Sequence, residues 1–262
     1  MKVGFIGGGN MGGALIGGLT QKCCVPSDIA LYEKDAQKAA AFKEMGINTV
    51  ESASAAEAAS EIIVFSVKPN IIDSVLSEMS GDKKKIYLSI AAGVTVAHLE
   101  EMLGADKKIV RAMPNTPAQV GYGMTVISPN KNVDDEDIKK VKMLLSAVGM
   151  VQQMDEKFMS VATALHGSSP AYVYMFIDAM ADAGVKYGLT KQQALTLAAQ
   201  AVAGSAEMVL SCGEHPEKLK DNVCSPGGTT IAAVCNLEKN GFRGIVQSAV
   251  CACVAKADEM SK

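Results

Sequence analysis

The chain has 262 residues, of which 48 % are hydrophobic, with 25 Lys and Arg against 28 Asp and Glu. The slightly acidic balance leaves no general basic surface and so argues against nucleic-acid binding. The apolar content argues against disorder, and unbroken apolar runs such as Ile62–Phe65 are too short to cross a membrane. Seven cysteines without a Cys-x-x-Cys pair predict reduced, mostly buried thiols and no metal site. We therefore expect a cytoplasmic globular protein.

The first 155 residues alternate short apolar runs with helix-like segments. Strands are predicted at Val3–Ile6, Ile29–Glu33, Ile62–Val67, Ile86–Ala91, Ile109–Met113, Met124–Ile127 and Gly149–Met154. Helices are predicted at Met11–Thr20, Asp35–Met45, Ile71–Met79, Val96–Leu103 and Asp134–Val148. Strands that alternate with helices of this length predict a doubly wound parallel sheet over residues 1–155.

Strand signals stop after about residue 156, which predicts an all-helical second domain over residues 156–262. Its helices are predicted at Phe158–Leu165, Ala171–Tyr187, Lys191–Leu210, Pro216–Val223, Thr230–Lys239 and Ile245–Met260. The two longest carry few polar residues, and such helices are usually buried by more than their own domain. A substantial interface between subunits is therefore expected here.

A glycine-rich turn follows the first strand and opens a helix. Gly7, Gly9 and Gly12 match the pattern G-x-G-x-x-G, which lets a pyrophosphate approach the backbone at a helix N-terminus. Glu33, at the end of the next strand, stands where an acid accepts hydrogen bonds from a ribose 2′-OH, which favours NAD. Lys34 could instead pair with the 2′-phosphate of NADP, so both cofactors stay open.

A second donor-rich segment lies in the helical half. Ser225-Pro226-Gly227-Gly228-Thr229-Thr230 places backbone N–H groups and hydroxyls at a helix start, an arrangement that binds carboxylates, although a capped helix start with nothing bound is the alternative. The three histidines show neither a triad order nor metal-ligand spacing. A nicotinamide enzyme without a histidine base suits a substrate that needs little acid–base help, such as a cyclic imine protonated by solvent.

These motifs occur in one order along nearly the whole chain: GFIGGGNM, SVKP, SIAAGVT, RAMPNTPA, TALHGSSPAYVY and SPGGTTIAAV. In that order they resemble pyrroline-5-carboxylate reductases. The resemblance implies reduction of 1-pyrroline-5-carboxylate to L-proline, the last step of proline biosynthesis, by hydride transfer from NADPH or NADH. It also implies a Rossmann-type α/β domain followed by an all-α C-terminal dimerisation domain. Dimers of such enzymes often assemble into decamers.

The resemblance also implies roles for particular residues. The dinucleotide is expected to lie against Ile6, Gly7, Gly8, Gly9, Asn10 and Met11. Its nicotinamide half is expected to contact Val67, Lys68, Pro69, Ala91, Ala92 and Gly93, and Asn222 to lie near the cofactor of the partner subunit. The substrate loop is expected to comprise Ser225, Gly227, Gly228, Thr229 and Thr230. Backbone N–H groups of Thr229 and Thr230 would bind the substrate carboxylate, and the Thr230 hydroxyl would hydrogen-bond the ring nitrogen.

The chain departs from the family pattern at three places. His166-Gly167-Ser168-Ser169-Pro170 stands where Ser-Gly-Ser-Gly-Pro is usual, and Cys224 stands where Thr or Ser is common. Some members of the family have a glutamate that contacts the substrate. That position aligns near Gly213 of this chain, so the role of this glutamate is not assigned to any residue here. Two other functions stay open: a related reductase acting on another imino acid or a β-hydroxyacid, and a non-catalytic dinucleotide-binding protein.

Overall fold

A computed structural model describes residues 1–260. Its contacts divide the chain into two compact units, one formed by Met1–Ser168 with the chain from Val254 onward, and the other by Ser169–Cys253. The domain boundary placed between residues 155 and 156 stays a prediction.

In the part of the chain described, one sheet of eight strands forms the centre of the first unit. The strand order is β3-β2-β1-β4-β5-β6-β7-β8, so that the first six strands follow the Rossmann order 3-2-1-4-5-6. The strands are β1 Val3–Ile6, β2 Ile29–Tyr32, β3 Asn48–Thr49, β4 Ile62–Phe65, β5 Ile86–Ser89, β6 Lys108–Met113, β7 Gly123–Pro129 and β8 Gly149–Gln153.

The sheet is mixed rather than wholly parallel. β7 pairs antiparallel with β6, and β8 then runs parallel to β7. The connection from β6 to β7 explains the reversal, because it contains only a short 3₁₀ turn at Thr116–Val120 and no crossover helix. The predicted parallel arrangement therefore holds for β1 to β6 and is wrong for the last two strands.

Four of the described helices of the first unit begin at a residue whose side chain caps them. Asp35, Ser52, Thr95 and Asp134 each accept hydrogen bonds from N–H groups of the following first turn. The helices are α1 Asn10–Lys22, α2 Ala36–Glu44, α3 Ala53–Ala58, α4 Ile72–Leu76, α5 Val96–Leu103, α6 Asp135–Leu145 and α7 Met159–Ala162. The predicted helix after Phe158 is α7 followed by a π-helical turn at Thr163–Gly167.

Most apolar side chains of the sheet belong to two clusters, whereas Val126 of β7 packs in a third, smaller one with Met159 and Ala162. In β4, Ile62 and Val64 belong to one cluster, whereas Ile63 and Phe65 belong to the other. This alternation is expected of a strand that is covered by helices on both faces. Both faces of the sheet are therefore buried, and the loops at its carboxyl edge leave from buried strands.

The second unit consists of helices whose apolar side chains are largely uncovered. Its helices are α8 Ser169–Lys186, α9 Lys191–Cys212, α10 Pro216–Val223, α11 Thr229–Lys239 and α12 Phe242–Met260, the last of which continues into the first unit. Among the described residues of this unit, the fully buried apolar side chains are only those of Ala181, Ala194 and Ala198. Met175 is 73 % exposed.

Of the described helices, α9 alone is long and apolar enough to cross a membrane by length and composition, with 6 % of its most apolar window buried. All seven cysteines are free thiols, four exposed and three half-buried. The expectation that they are mostly buried is therefore wrong for the single chain.

Candidate active site

A cavity of about 560 Å³ opens at the carboxyl edge of the sheet in the first unit. It lies where strand order reverses, because β1 is flanked by β2 on one side and β4 on the other. Open α/β sheets bind ligands at such a switch point. The cavity is lined by Ile6, Gly7, Gly9, Asn10, Met11, Tyr32, Glu33, Lys34, Lys38, Ser66, Val67, Lys68, Pro69, Ile71, Val75, Ile90, Ala91 and Ala92.

The glycine turn after β1 has the shape a dinucleotide requires. Gly7 has a φ of +96°, a conformation that favours glycine. A Cβ on Gly12 would lie 2.6 Å from the Gly7 carbonyl oxygen, so this glycine permits close packing of α1 against the turn. A Cβ on Gly9 would meet nothing within 4 Å, so the space above it is open to a ligand.

The start of α1 supplies donors toward this open space. Gly9 is the N-cap residue and offers no side-chain acceptor, so the N–H groups of the first turn have no cap. Such N–H groups and the positive end of the helix dipole bind phosphates. The residues present therefore fit the pyrophosphate of a dinucleotide.

Two side chains fix the turn to the neighbouring strands. The Ser66 hydroxyl, just after β4, donates to the carbonyl oxygens of Ile6 and Gly7 at 3.1 and 2.6 Å. Gly8 donates its N–H to Glu33 Oε2 at 2.6 Å, and Asp35 donates its N–H to Glu33 Oε1 at 2.9 Å. The turn is thus held by β4 on one side and by the end of β2 on the other.

The structure brings most of the predicted cofactor residues together. Twelve of them line the one cavity: Ile6, Gly7, Gly9, Asn10, Met11, Glu33, Lys34, Val67, Lys68, Pro69, Ala91 and Ala92. Gly8 is a buried residue of the turn and donates its N–H to Glu33. Gly93 lines an adjoining cavity of about 260 Å³ that also includes Pro69 and Ala92. Asn222 lies on α10 in the second unit.

Sequence reasoning did not find six of the lining residues: Tyr32, Lys38, Ser66, Ile71, Val75 and Ile90. Lys38 could have been found, because it lies in the first turn of α2, which follows Glu33 and Lys34. Tyr32 and Ile90 lie at or just beyond strand ends, where the order of strands decides which side chains meet. That order is not encoded in the pattern of any single strand.

The predicted substrate loop lies at the start of α11 in the second unit. Gly227 has a φ of +69°, and the Gly228 N–H donates to the Ser225 carbonyl oxygen at 3.0 Å. Gly228 is the N-cap residue of α11 and carries no capping side chain, so the first-turn N–H groups of Thr229 and Thr230 have no cap. The loop therefore presents backbone donors suited to a carboxylate.

His166, which departs from the family pattern, lies in the π-helical turn after α7. Its ring nitrogens lie 2.5 Å from the Ala162 carbonyl oxygen and 2.7 Å from the Met113 carbonyl oxygen. Asn115 donates its side-chain amide to the His166 carbonyl oxygen at 3.0 Å. The imidazole thus joins the end of β6 to the turn before α8.

Within residues 1–260, no three His, Cys, Asp or Glu side chains come together as a metal site would require. The donors around the cavity of the first unit are backbone N–H groups, the Ser66 hydroxyl and lysine side chains. These are groups that hold an anionic dinucleotide.

Two family models match the chain. The one described as pyrroline-5-carboxylate reductase dimerisation matches residues 156–260, and the one described as NADP oxidoreductase coenzyme F420-dependent matches residues 2–93. The pyrroline-5-carboxylate reductase of Escherichia coli (strain K12) is 49 % identical over 100 % of this chain and 98 % of its own. That of Pisum sativum is 40 % identical over 99 % of this chain and 96 % of its own.

Solved structures agree with these relatives. A pyrroline-5-carboxylate reductase from Coxiella burnetii superposes with a TM-score of 0.95 at 35 % identity, covering 100 % of this chain and 98 % of that one. A Plasmodium falciparum pyrroline carboxylate reductase with NADP bound gives a TM-score of 0.89 at 38 % identity, with the same coverage. The predicted Rossmann domain followed by a helical dimerisation domain is confirmed. The chain belongs to the pyrroline-5-carboxylate reductase family.

Proposed function

We propose that this protein reduces 1-pyrroline-5-carboxylate to L-proline with NADPH or NADH, in the cytoplasm, as the last step of proline biosynthesis. The observation that carries the proposal is the full-length similarity to pyrroline-5-carboxylate reductases, 49 % identical in the case of the Escherichia coli enzyme. The cavity of about 560 Å³ at the switch point, next to the glycine turn, supports it independently.

The first unit binds the cofactor in this proposal. The uncapped start of α1, reached over Gly9, holds the pyrophosphate, and Glu33 and Lys34 stand at the adenosine end of the cleft. Val67, Lys68 and Pro69 line the nicotinamide end, with residues 91–93 facing them across the neighbouring strand end. When bound, the reduced nicotinamide supplies a hydride.

The second unit binds the substrate. The N–H groups of Thr229 and Thr230 hold the carboxylate at the start of α11, in the loop shaped by Ser225, Gly227 and Gly228. The Thr230 hydroxyl donates to or accepts from the ring nitrogen and orients the imine carbon, which makes Thr230 the catalytic residue of the proposal. The imine takes its proton from solvent, so no histidine base is needed.

The active form in this proposal is a homodimer joined through residues 156–262. The dimerisation family model begins at residue 156 and supports a domain boundary there. The uncovered apolar side chains of α8 and α9 support a partner helix rather than a membrane as their neighbour. Asn222 then lies toward the cofactor of the other subunit, and dimers assemble further into a decamer.

Initial rates test the proposed activity. Purified protein is mixed with 1-pyrroline-5-carboxylate and either NADH or NADPH, and oxidation of the cofactor is followed. The proposal predicts that oxidation of the cofactor depends on the imine and that one molecule of proline forms for each molecule of cofactor oxidised. Oxidation no faster than the enzyme-free background with both cofactors would exclude it.

A further inference from the structure

The choice between the two nicotinamide cofactors depends on the side chains at the adenosine end of the cleft. Glu33, the residue after β2, is the acid of that end and lines the cavity. Both of its carboxylate oxygens accept backbone N–H groups, Oε2 from Gly8 at 2.6 Å and Oε1 from Asp35 at 2.9 Å. The two donors lie on either side of the carboxylate, so they fix its position.

The glycine turn is built around this carboxylate. A Cβ on Gly8 would lie 2.6 Å from the Phe42 ring and 3.4 Å from Glu33 Oε2. Glycine at this position therefore lets the N–H approach Glu33 while Phe42 packs from the side of α2. The position of Glu33 is part of the folded turn rather than one choice among free rotamers.

A fixed carboxylate at this place distinguishes a ribose hydroxyl from a ribose phosphate. A carboxylate has about four lone-pair sites, and the two backbone donors use two of them. The remaining sites would accept hydrogen bonds from the ribose hydroxyls of bound NADH. A 2′-phosphate offers no matching donor at neutral pH and places a second negative charge beside the first, which is repulsive.

Two lysines at the same end carry the charge with which a 2′-phosphate would pair. Lys34 and Lys38 both line the cavity, but both are exposed, and Lys38 Nζ lies 3.8 Å from Asp35 Oδ2. Exposed lysines hold a phosphate through flexible, water-screened contacts that contribute little. The half-buried Glu33, held by two hydrogen bonds, therefore determines the selectivity.

We propose that Glu33 makes this cleft selective for NADH over NADPH. The inference rests on the proposed function and adds to it the identity of the cofactor. It differs from what the NADP-bound structure of the Plasmodium falciparum relative would suggest by analogy.

Direct binding tests the proposal without relying on turnover. Titration calorimetry measures the dissociation constants of NADH and NADPH for the wild-type protein, for Glu33→Gln, for Glu33→Ser and for the control Glu44→Gln. Glu44 is the last residue of α2, is exposed and does not line the cavity. Thermal unfolding verifies that each variant is folded, and Glu33→Ser provides a second, smaller replacement where Gln disturbs the turn.

The wild type and the control are expected to bind NADH at least about 10-fold more tightly than NADPH, because a like-charge contact opposes only the phosphate. In the folded Glu33 variants, this ratio falls to within about 3-fold, through weaker NADH binding and tighter NADPH binding. Equal or tighter NADPH binding by the wild type would overturn the proposal, as would an unchanged ratio in both Glu33 variants.

The lysines form the second arm of the experiment. Lys34→Ala and Lys38→Ala are each expected to weaken the binding of NADH and of NADPH by a similar factor. A selective loss of NADPH binding, with NADH binding unchanged, would contradict the role given to Glu33. Imine turnover with a preference for NADPH would overturn this inference alone, whereas absence of binding by either cofactor would overturn the proposed function with it.

Discussion

Thr230 is the residue on which the proposed chemistry depends most directly. Thr230→Ala removes the hydroxyl that orients the imine while leaving the backbone N–H in place, so kcat/KM for the imine is expected to fall roughly 10- to 100-fold. Thr230→Ser should restore most of the loss. Steady-state rates for these variants measure the effect, with Thr196→Ala as the control, since that hydroxyl donates to the Gln192 carbonyl oxygen of its own helix. A kcat/KM unchanged in Thr230→Ala would remove Thr230 from the mechanism.

A second residue prediction concerns stability rather than catalysis. The Tyr87 hydroxyl donates to Glu57 Oε1 at 2.5 Å, and the Ser80 N–H donates to Glu57 Oε2 at 2.7 Å, with Tyr87 and Glu57 both buried. Tyr87→Phe leaves the buried carboxylate short of one donor and is expected to lower the free energy of unfolding by about 1–3 kcal/mol. Denaturant unfolding measures it. Tyr122→Phe, at a side chain 81 % exposed, should change little.

The hydrogen-bonded pair of Tyr87 and Glu57 also makes the free energy of unfolding depend on pH in the alkaline range. Burial and the hydrogen bond to Glu57 raise the pKa of the Tyr87 phenol above its ordinary value. In the unfolded chain the phenol ionises above about pH 10, whereas in the folded protein it stays neutral. The stability from this pair is therefore present below about pH 10 and is lost as the pH rises further. Wild type should lose more stability than Tyr87→Phe in that range, and parallel curves would contradict this account.

At the scale of elements, an ion-pair cluster joins three helices of the second unit. Glu217 on α10 contacts Lys220 Nζ and Arg243 Nη2, both at 2.5 Å, and Arg243 also contacts Glu238 of α11. Hydrogen bonds from Lys220 and Arg243 lower the pKa of Glu217 from 4.5 to about 2. Because the folded pKa lies below the unfolded one, the contribution to stability is complete above about pH 4.5 and is lost as the pH falls toward 2.

Glu217→Gln should remove this part of the acid dependence. Unfolding followed from neutral pH to about pH 2.5 is expected to show a shallower loss of stability for Glu217→Gln than for wild type. Glu214→Gln in the preceding loop is the control, since Glu214 makes no ion pair among the described residues. An identical acid profile for wild type and Glu217→Gln would show that the cluster does not contribute.

Which elements could be predicted depended on their length and periodicity. β1, α5 and α10 match their predicted bounds. β1 is a short unbroken apolar run, whereas α5 and α10 begin after the N-cap residues Thr95 and His215. β3 has two residues and α3 six, too few for a period to emerge, and neither was predicted. The direction of β7 follows from the connection before it rather than from its own residues.

The candidate site likewise contains residues that the sequence predicts and contacts that it does not predict. The glycine turn and Glu33 could be predicted because each is a local motif at a strand end. The hydrogen bond from the Ser66 hydroxyl to the Gly7 carbonyl oxygen joins residues 59 positions apart in the chain, so no local sequence pattern predicts it. Strand order therefore had to be known before the full lining of the cleft could be assigned.

At the scale of the whole molecule, the second unit lacks a core of its own. Its helices leave large side chains such as Met175 and Leu210 exposed at 73 and 65 %. Hydrophobic burial supplies most folding stability, so a unit with this surface needs a covering partner. Stability coupled to association should make the melting temperature rise with protein concentration.

Met175→Glu tests the covering surface. A charge placed in an apolar interface is costly to bury, so Met175→Glu is expected to lower the solution mass toward that of one chain and to lower the melting temperature. Met143→Glu, at a methionine 51 % exposed on α6 of the first unit, is the matched control. Light scattering measures the mass. A wild-type protein that is monomeric at all concentrations would contradict the proposed dimer.

The measurement that tests the central claim most directly is hydride transfer itself. Purified protein is given 1-pyrroline-5-carboxylate with NADH carrying deuterium on the transferable face of C4, and the product is analysed by mass spectrometry. We expect L-proline with one deuterium at C5, in an amount equal to that of the oxidised cofactor. Thr230→Ala should form this product roughly 10- to 100-fold more slowly than the wild type. Absence of labelled proline, with the cofactor bound and the protein folded, would contradict it.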